Sequence, residues 1–267
     1  MTFWTGCATS GPTSLVTADE RGKRIVMAGA WVLEPSEEDI GRLEVLRVLR
    51  RGGGSIVDEV IVSIGAAIIE GRLRPGDDLN SVELARSFGS SRTPIREALL
   101  TLEREGFVEI SAYRRPRVAR LTLEDVRELY GLRMQLYAMV CREVVTKADD
   151  VDLERLRGLQ AALAQAVEDD NVDAYFWRNV DFRNAEAAIA DNRTLSRVLD
   201  SLGLRTLQLR HLSLSLPGRM HRSLADHDRL LRAYEDRDAE LAAALSQSLV
   251  RRGLAAIERS GWTGDAR

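Results

Sequence analysis

Residues 91–99 read Ser-Arg-Thr-Pro-Ile-Arg-Glu-Ala-Leu, and they carry two guanidinium groups at helical spacing. Arg92 and Arg96 are four apart, so on a helix they share one face. Ile95, Ala98, Leu99 and Leu102 repeat at the same period on the other face, which must be buried. Pro94 fits the first turn, where its missing N–H leaves no bond unmade. Gly106 follows Glu105 and can close the helix in a left-handed conformation. One face is thus anchored, and the other offers two arginines near a helix N-terminus. That chemistry suits phosphates and guanine edges in a DNA major groove. Arg114, Arg115 and Arg117 flank Pro116 a short way downstream and suit phosphate or minor-groove contact. Between Arg86 and Arg120 there are eight arginines and four glutamates, within a chain of 267 residues whose net charge is −3. The overall acidity argues against indiscriminate coating of nucleic acid, and the local basic excess argues for one nucleic-acid face.

These arginines need a scaffold, and the flanking pattern supplies one. Ile56, Val60, Ile64 and Ile68 predict a first helix closed by Gly71, and Arg74-Pro-Gly-Asp77 is a turn. Asn80 with Glu83 predicts a capping box opening a second helix, which buries Leu84, Ala85 and Phe88 and ends at Gly89. The helix over 91–105 is third. Residues 107–111 and 117–121 then read as two short strands around a Tyr113–Pro116 turn. Three helices followed by a basic hairpin is the order of a winged helix-turn-helix. From Thr122, which caps a long helix with Asp125, the pattern is helical to the end. Helices are expected to about 148 and then over 151–169, 171–191, 193–213, 221–236 and 238–260, with a break at Pro217-Gly218. The expected fold is mainly α: an N-terminal extension (1–54), a winged helix (55–121) and an all-helical bundle (122–262). The extension is expected to be poorly ordered, apart from a short helix over 37–51 before the Gly52–Gly54 break.

Cys7 and Cys141 give neither a disulfide framework nor zinc spacing, which fits a reducing cytoplasm. The longest apolar run, Ile25 to Leu33, falls far short of a membrane span, and no signal peptide is expected. There is no activated nucleophile, no phosphate loop and no metal constellation, so no enzyme, catalytic residue or cofactor is expected. Cys141 is expected buried and inert, Phe176 and Trp177 in the core, and His211 and His221 at the surface or core edge.

The stretch Gly71–Ile110 resembles the DNA-binding domain of GntR-type transcription regulators through its Gly-x-Leu-x-Pro-Gly turn, its Ser-Arg-Thr-Pro-x-Arg-Glu-Ala-Leu helix and its Leu-Glu-x-Glu-Gly-x-Val tail. Leu121–Arg133, Asp181–Leu195 and Asp226–Leu245 resemble parts of the helical effector-binding domain of the FadR branch. The resemblance implies a cytoplasmic, homodimeric, ligand-responsive regulator, by default a repressor, with double-stranded operator DNA and a small molecule as partners and no membrane. It implies that Ser91 and Thr93 touch phosphates beside Arg92 and Arg96. A wing-tip glycine usual in the family falls on Arg115.

Many of these relatives hold a divalent metal through one Asp or Asn and three histidines. The matching positions here are Asn179, Arg183, His227 and Leu249. One imidazole remains, and Arg183 brings a fixed positive charge, so no metal is expected. Arg133, Asn179, Arg183 and His227 are the expected effector-site residues. Arg183 either clamps a carboxylate by a bidentate fork or pairs with a nearby acid such as Glu186 outside any cavity. A fatty acyl or lipid-like ligand is equally admissible. A different reading makes the chain a winged-helix adaptor or architectural protein without ligand control, and salt-dependent binding to one operator separates the two.

Overall fold

The computed structural model describes residues 55–262, apart from the side chains of 203–205, and the backbone of two short strands, β1 (Val16–Ala18) and β2 (Arg24–Val26). These strands pair antiparallel, with Val16 opposite Val26. No strand was expected there, and four of the six residues are β-branched. The helix expected over 37–51 lies outside the described residues.

Helix α1 (Ile56–Ile69) opens on a capping box. The Ser55 hydroxyl accepts from the Asp58 N–H at 3.2 Å, and the Asp58 carboxylate accepts from the Ser55 N–H at 3.4 Å. Helix α2 (Ser81–Ser87) is capped by the Asn80 side chain accepting from the Val82 N–H at 3.0 Å. Glu83 binds the Asn80 side-chain amide at 2.8 Å, where the sequence had suggested a backbone contact. Helix α3 (Arg92–Arg104) buries Ile95, Ala98, Leu99 and Leu102 as the periodicity requires. Gly106 closes it with φ +74°, letting the Phe107 N–H reach the Leu102 carbonyl at 2.9 Å.

The wing is shorter than expected, because only β3 (Val108–Glu109) and β4 (Arg117–Val118) pair. Pro116, lacking an N–H, ends β4 on one side. The other edge of β4 takes the turn before α2. Gly76 donates to the Val118 carbonyl at 2.8 Å, Val118 to the Asp77 carbonyl at 3.0 Å, and Leu79 to the Pro116 carbonyl at 2.7 Å. Gly76 suits this turn because its φ is +85°, in the left-handed region that side chains disfavour.

At the wing tip the left-handed residue is Tyr113, with φ +61°, and not Arg115, where the family resemblance had placed a glycine. Its side chain is fully exposed at 107%, so no packing offsets the backbone cost. Tyr113→Gly is therefore expected to raise the unfolding free energy by about 1 kcal/mol. A denaturant midpoint at or below wild type would contradict this.

The remaining helices form a bundle: α4 (Leu123–Lys147), α5 (Asp150–Glu168), α6 (Val172–Ala190), α7 (Arg193–Ser215), α8 (Arg219–Glu235) and α9 (Ala239–Arg259). Side-chain caps open most of them: Thr122 with Asp125, Asp149 with Asp152, and single caps from Asn171, Asn192 and Asp238. Helices α4 and α9 run antiparallel. Arg127–Glu258 and Arg142–Glu240, both at 2.8 Å, tie their ends, and Gln247 donates to Gln135 at 3.3 Å between them. None of the described helices is long and apolar enough to cross a membrane.

One apolar core runs from the winged helix into the bundle, because α1 packs on both α3 and α7. Ile64 and Leu99 are among its winged-helix members, and Phe176 and Tyr234 are among those from the bundle. A smaller core of Val126, Tyr130, Tyr137, Leu209, Val250 and Ile257 lies between α4, α7 and α9.

Candidate nucleic-acid interface and anion cavity

The N-terminus of α3 is presented to solvent. Ser91, Arg92, Thr93 and Arg96 are all exposed, and the Ser91 side chain makes no cap bond to the helix. The first-turn N–H groups and the hydroxyls of Ser91 and Thr93 therefore surround two guanidiniums on one face, an arrangement suited to phosphate. Arg114 and Arg115 are exposed at the wing. Arg117 is not placed with them. Its Nε donates to the Asp78 carboxylate at 2.6 Å, so it clamps β4 to the turn before α2.

The second site is a cavity of about 40 Å³ inside the bundle. Four arginines line it: Arg133 from α4, Arg183 from α6, Arg210 from α7 and Arg219 from α8. Tyr130, Asn179, Ser213 and Ser223 add polar atoms, and Leu214, Leu249 and Val250 add apolar ones. No carboxylate is among the lining residues.

Arg183 answers both readings of the sequence. Its Nη1 donates to Glu186 at 2.8 Å and to Ser246 Oγ at 3.3 Å, yet it also lines the cavity. Its Nη2 is buried with no hydrogen-bond partner. Burial is the largest influence and works against its charge, but Glu186, Cys141, Tyr137 and Tyr234 together outweigh it and hold the guanidinium protonated. Tyr234 donates to the other Glu186 oxygen at 2.5 Å, fixing that carboxylate behind the arginine.

Asn179 is held from two sides. Its Oδ1 accepts from Arg210, and its Nδ2 lies 2.7 Å from His227 Nε2. His227 is fully buried, and burial together with Arg183 and Arg210 pushes its pKa well below the usual histidine value. The ring is therefore neutral, with Nε2 accepting and Nδ1 carrying the proton. Arg133 lies over the rings of Tyr130 and Tyr137, at 5.1 and 5.4 Å from their centroids. Arg210 is driven down to about 10 by burial, with Arg133 and Arg183 adding like-charge repulsion.

Three of the four positions matching a metal set, Asn179, Arg183 and Leu249, do converge on this cavity, and His227 stands behind Asn179. The residues do not fit a divalent cation. Two guanidiniums, Arg183 and Arg210, bracket Asn179, and an alkyl chain takes the fourth position. Among the described residues no group of three or more His, Cys, Asp and Glu could hold a metal ion. Of the residues singled out in the sequence, Arg133, Asn179 and Arg183 line the cavity and His227 touches Asn179 from behind, while the sequence did not single out Arg210, Arg219 and Tyr130, which also line it. An inward-facing arginine on a charged helix has no local signature that separates it from a surface one.

The other singled-out residues sit apart from the cavity. Cys141 is buried, and burial with Glu186 pushes its thiol up to about 11. His211 is at the core edge, 2.7 Å from Asp173, and His221 is exposed. Phe176 and Trp177 are in the core, their rings edge-on at 4.9 Å. These two rings connect the cavity to the winged helix. Arg210 lies over Phe176 at 5.8 Å, and Trp177 Nε1 donates to Glu70 at 3.4 Å, at the C-terminal cap of α1.

Two family models match the chain. Residues 56–118 match bacterial regulatory proteins of the gntR family, and residues 128–252 match the FCD domain. The HTH-type transcriptional regulator YdhC of Bacillus subtilis is 28% identical over 176 residues, covering 66% of this chain and 79% of its own. A protein of Paenarthrobacter nicotinovorans described as a "probable D-xylose utilization operon transcriptional repressor" is 25% identical over 70% of this chain and 82% of its own. Among solved structures, E. coli McbR/YncC superposes with a TM-score of 0.69 over 78% of this chain and all of that one, at 23% identity, a likeness of fold.

Proposed function

Because this chain is a DNA-binding transcription regulator of the GntR family, with an FCD domain following its DNA-binding domain, we propose that it is a homodimeric repressor released by a small carboxylate bound in the arginine cavity. The observation that carries the effector reading is the four-arginine lining with no acid among it. A guanidinium fork matches a carboxylate bidentately, and in a buried site such bonds are strong. A fatty acyl chain suits the cavity poorly. Charged guanidinium groups border it on four helices, where an alkyl chain would strand them without a partner.

Ser91, Arg92, Thr93 and Arg96 would enter the major groove, with Arg114 and Arg115 reaching the flanking backbone or minor groove. Two copies would read two half-sites of a palindrome about one helical turn apart. Repression accords with the description of the Paenarthrobacter relative. Effector control would run through α6, which carries Asn179 and Arg183 on the cavity and Trp177 against Glu70. An anion that draws Arg210 from Asn179 and Phe176 would change the packing of Trp177 and so the placement of the winged helix.

Trp177→Phe keeps the ring and loses the bond to Glu70. It is expected to preserve both operator affinity and anion affinity while shrinking the factor by which one alters the other, a factor typically about 5- to 150-fold. An unchanged factor would remove Trp177 from the route.

The reading as a whole is tested by fluorescence anisotropy with labelled DNA from upstream of the chain's own gene. Sequence-specific, salt-dependent binding that weakens on adding a small organic acid is expected. Equal affinity for scrambled DNA would contradict it.

A further inference from the structure

We infer that the cavity is built for a compact dianion, either a short dicarboxylate or a phosphate group, and that its arginines hold it without a divalent metal. This rests on the cavity being the effector site and concerns the charge that site selects.

The charges around the cavity do not balance. Glu186 compensates Arg183 at 2.8 Å. Asp226 pairs with Arg252 at 2.5 Å and lies near Arg219, so one carboxylate serves two guanidiniums. Arg133 and Arg210 have no carboxylate within ion-pair distance among the described residues. Arg133 faces two aromatic rings, and the bond Arg210 makes is to the neutral Asn179. Two buried or half-buried positive charges are thus left over among the residues lining a small cavity. Keeping unpaired charges out of water is costly, and a group carrying two negative charges offsets both. A single carboxylate would leave one guanidinium unmatched.

The unsatisfied polar atoms point the same way. Arg183 Nη2, Arg219 Nε and the Tyr130 hydroxyl are buried and have no hydrogen-bond partner, and all three belong to lining residues. These unsatisfied donors belong to α4, α6 and α8, and no carboxylate is among the residues lining the cavity between those helices. Leu214, Leu249 and Val250 give the apolar side against which a short methylene spacer would lie. The lowered pKa of Arg210 agrees, since an anion beside it would raise it back toward the usual value.

The test is calorimetric titration of the full-length protein, treated with EDTA, using malonate, succinate, inorganic phosphate and acetate. Malonate, succinate or phosphate is expected to bind at least about tenfold more tightly than acetate, because each added charge-assisted contact is worth about 1.5–3 kcal/mol. The tighter of the dicarboxylates and phosphate identifies the source of the dianion. Arg210→Gln and Arg133→Gln are each expected to lower dianion affinity tenfold or more. Arg210→Lys, which keeps the charge, is expected to recover part of the loss, and an unchanged circular dichroism spectrum shows that each variant is folded. Acetate binding as tightly as malonate would overturn the dianion while leaving a carboxylate site in place. Binding that disappears with EDTA and returns with zinc or nickel would overturn metal independence. Indifference to all four anions would overturn the effector reading itself.

Discussion

Arg96→Ala is expected to lower affinity for the cognate operator about 5- to 150-fold, the equivalent of about 1–3 kcal/mol for one guanine-reading arginine, and to lower affinity for random DNA much less. Arg96 is exposed on α3, one turn beyond Arg92, while Ile95, Ala98 and Leu99 pin the helix to the core. The side chain is therefore free to reach a base edge, and its removal disturbs no packing. Stability is expected to change by less than about 0.5 kcal/mol, as for other exposed positions. Binding to cognate and scrambled duplexes at fixed salt separates the two possible roles. Loss on the cognate alone marks base readout. Equal loss on both marks a phosphate contact and moves sequence reading to Arg92.

Glu186→Gln is expected to have the largest effect on stability, a loss of about 3–5 kcal/mol, because it strands a buried charge. Glu186 is fully buried and receives Arg183 at 2.8 Å and Tyr234 at 2.5 Å. The amide keeps the shape but donates where it must accept and carries no charge. Adding Arg183→Met to the same chain is expected to recover much of the loss, since the stranded charge is then gone. A saturating dianion is also expected to stabilise the single variant, because it binds only the folded state. A single variant as stable as wild type, measured by urea unfolding, would mean that Arg183 is compensated from elsewhere.

The elements were legible in the sequence wherever the signal was local. Asn80 and Thr122 cap helices within one turn, and the apolar periodicity of residues 95–102 fixes which face of α3 is free. Ends of the bundle helices fall within two residues of expectation for the same reason. What escaped was set by partners distant in sequence. Arg117 looked like a third wing arginine until the chain brought Asp78 against it, 39 residues away. Tyr113 takes the left-handed position at the wing tip although nothing in its own side chain favours it. The matched positions led to Asn179, Arg183 and His227, but the cavity also needs Arg210 and Arg219, which α7 and α8 turn inward. Their inward orientation is a property of how four helices meet, and no single helix sequence encodes it.

The central claim is that an anion in the arginine cavity and DNA on α3 compete for the conformation of one molecule. It is tested most directly by titrating malonate into the free protein and into the preformed operator complex and comparing the two affinities. The account predicts weaker malonate binding in the complex, by the same factor by which malonate weakens operator binding, since linkage is reciprocal. Equal malonate affinity with and without operator would contradict it, whatever the cavity binds.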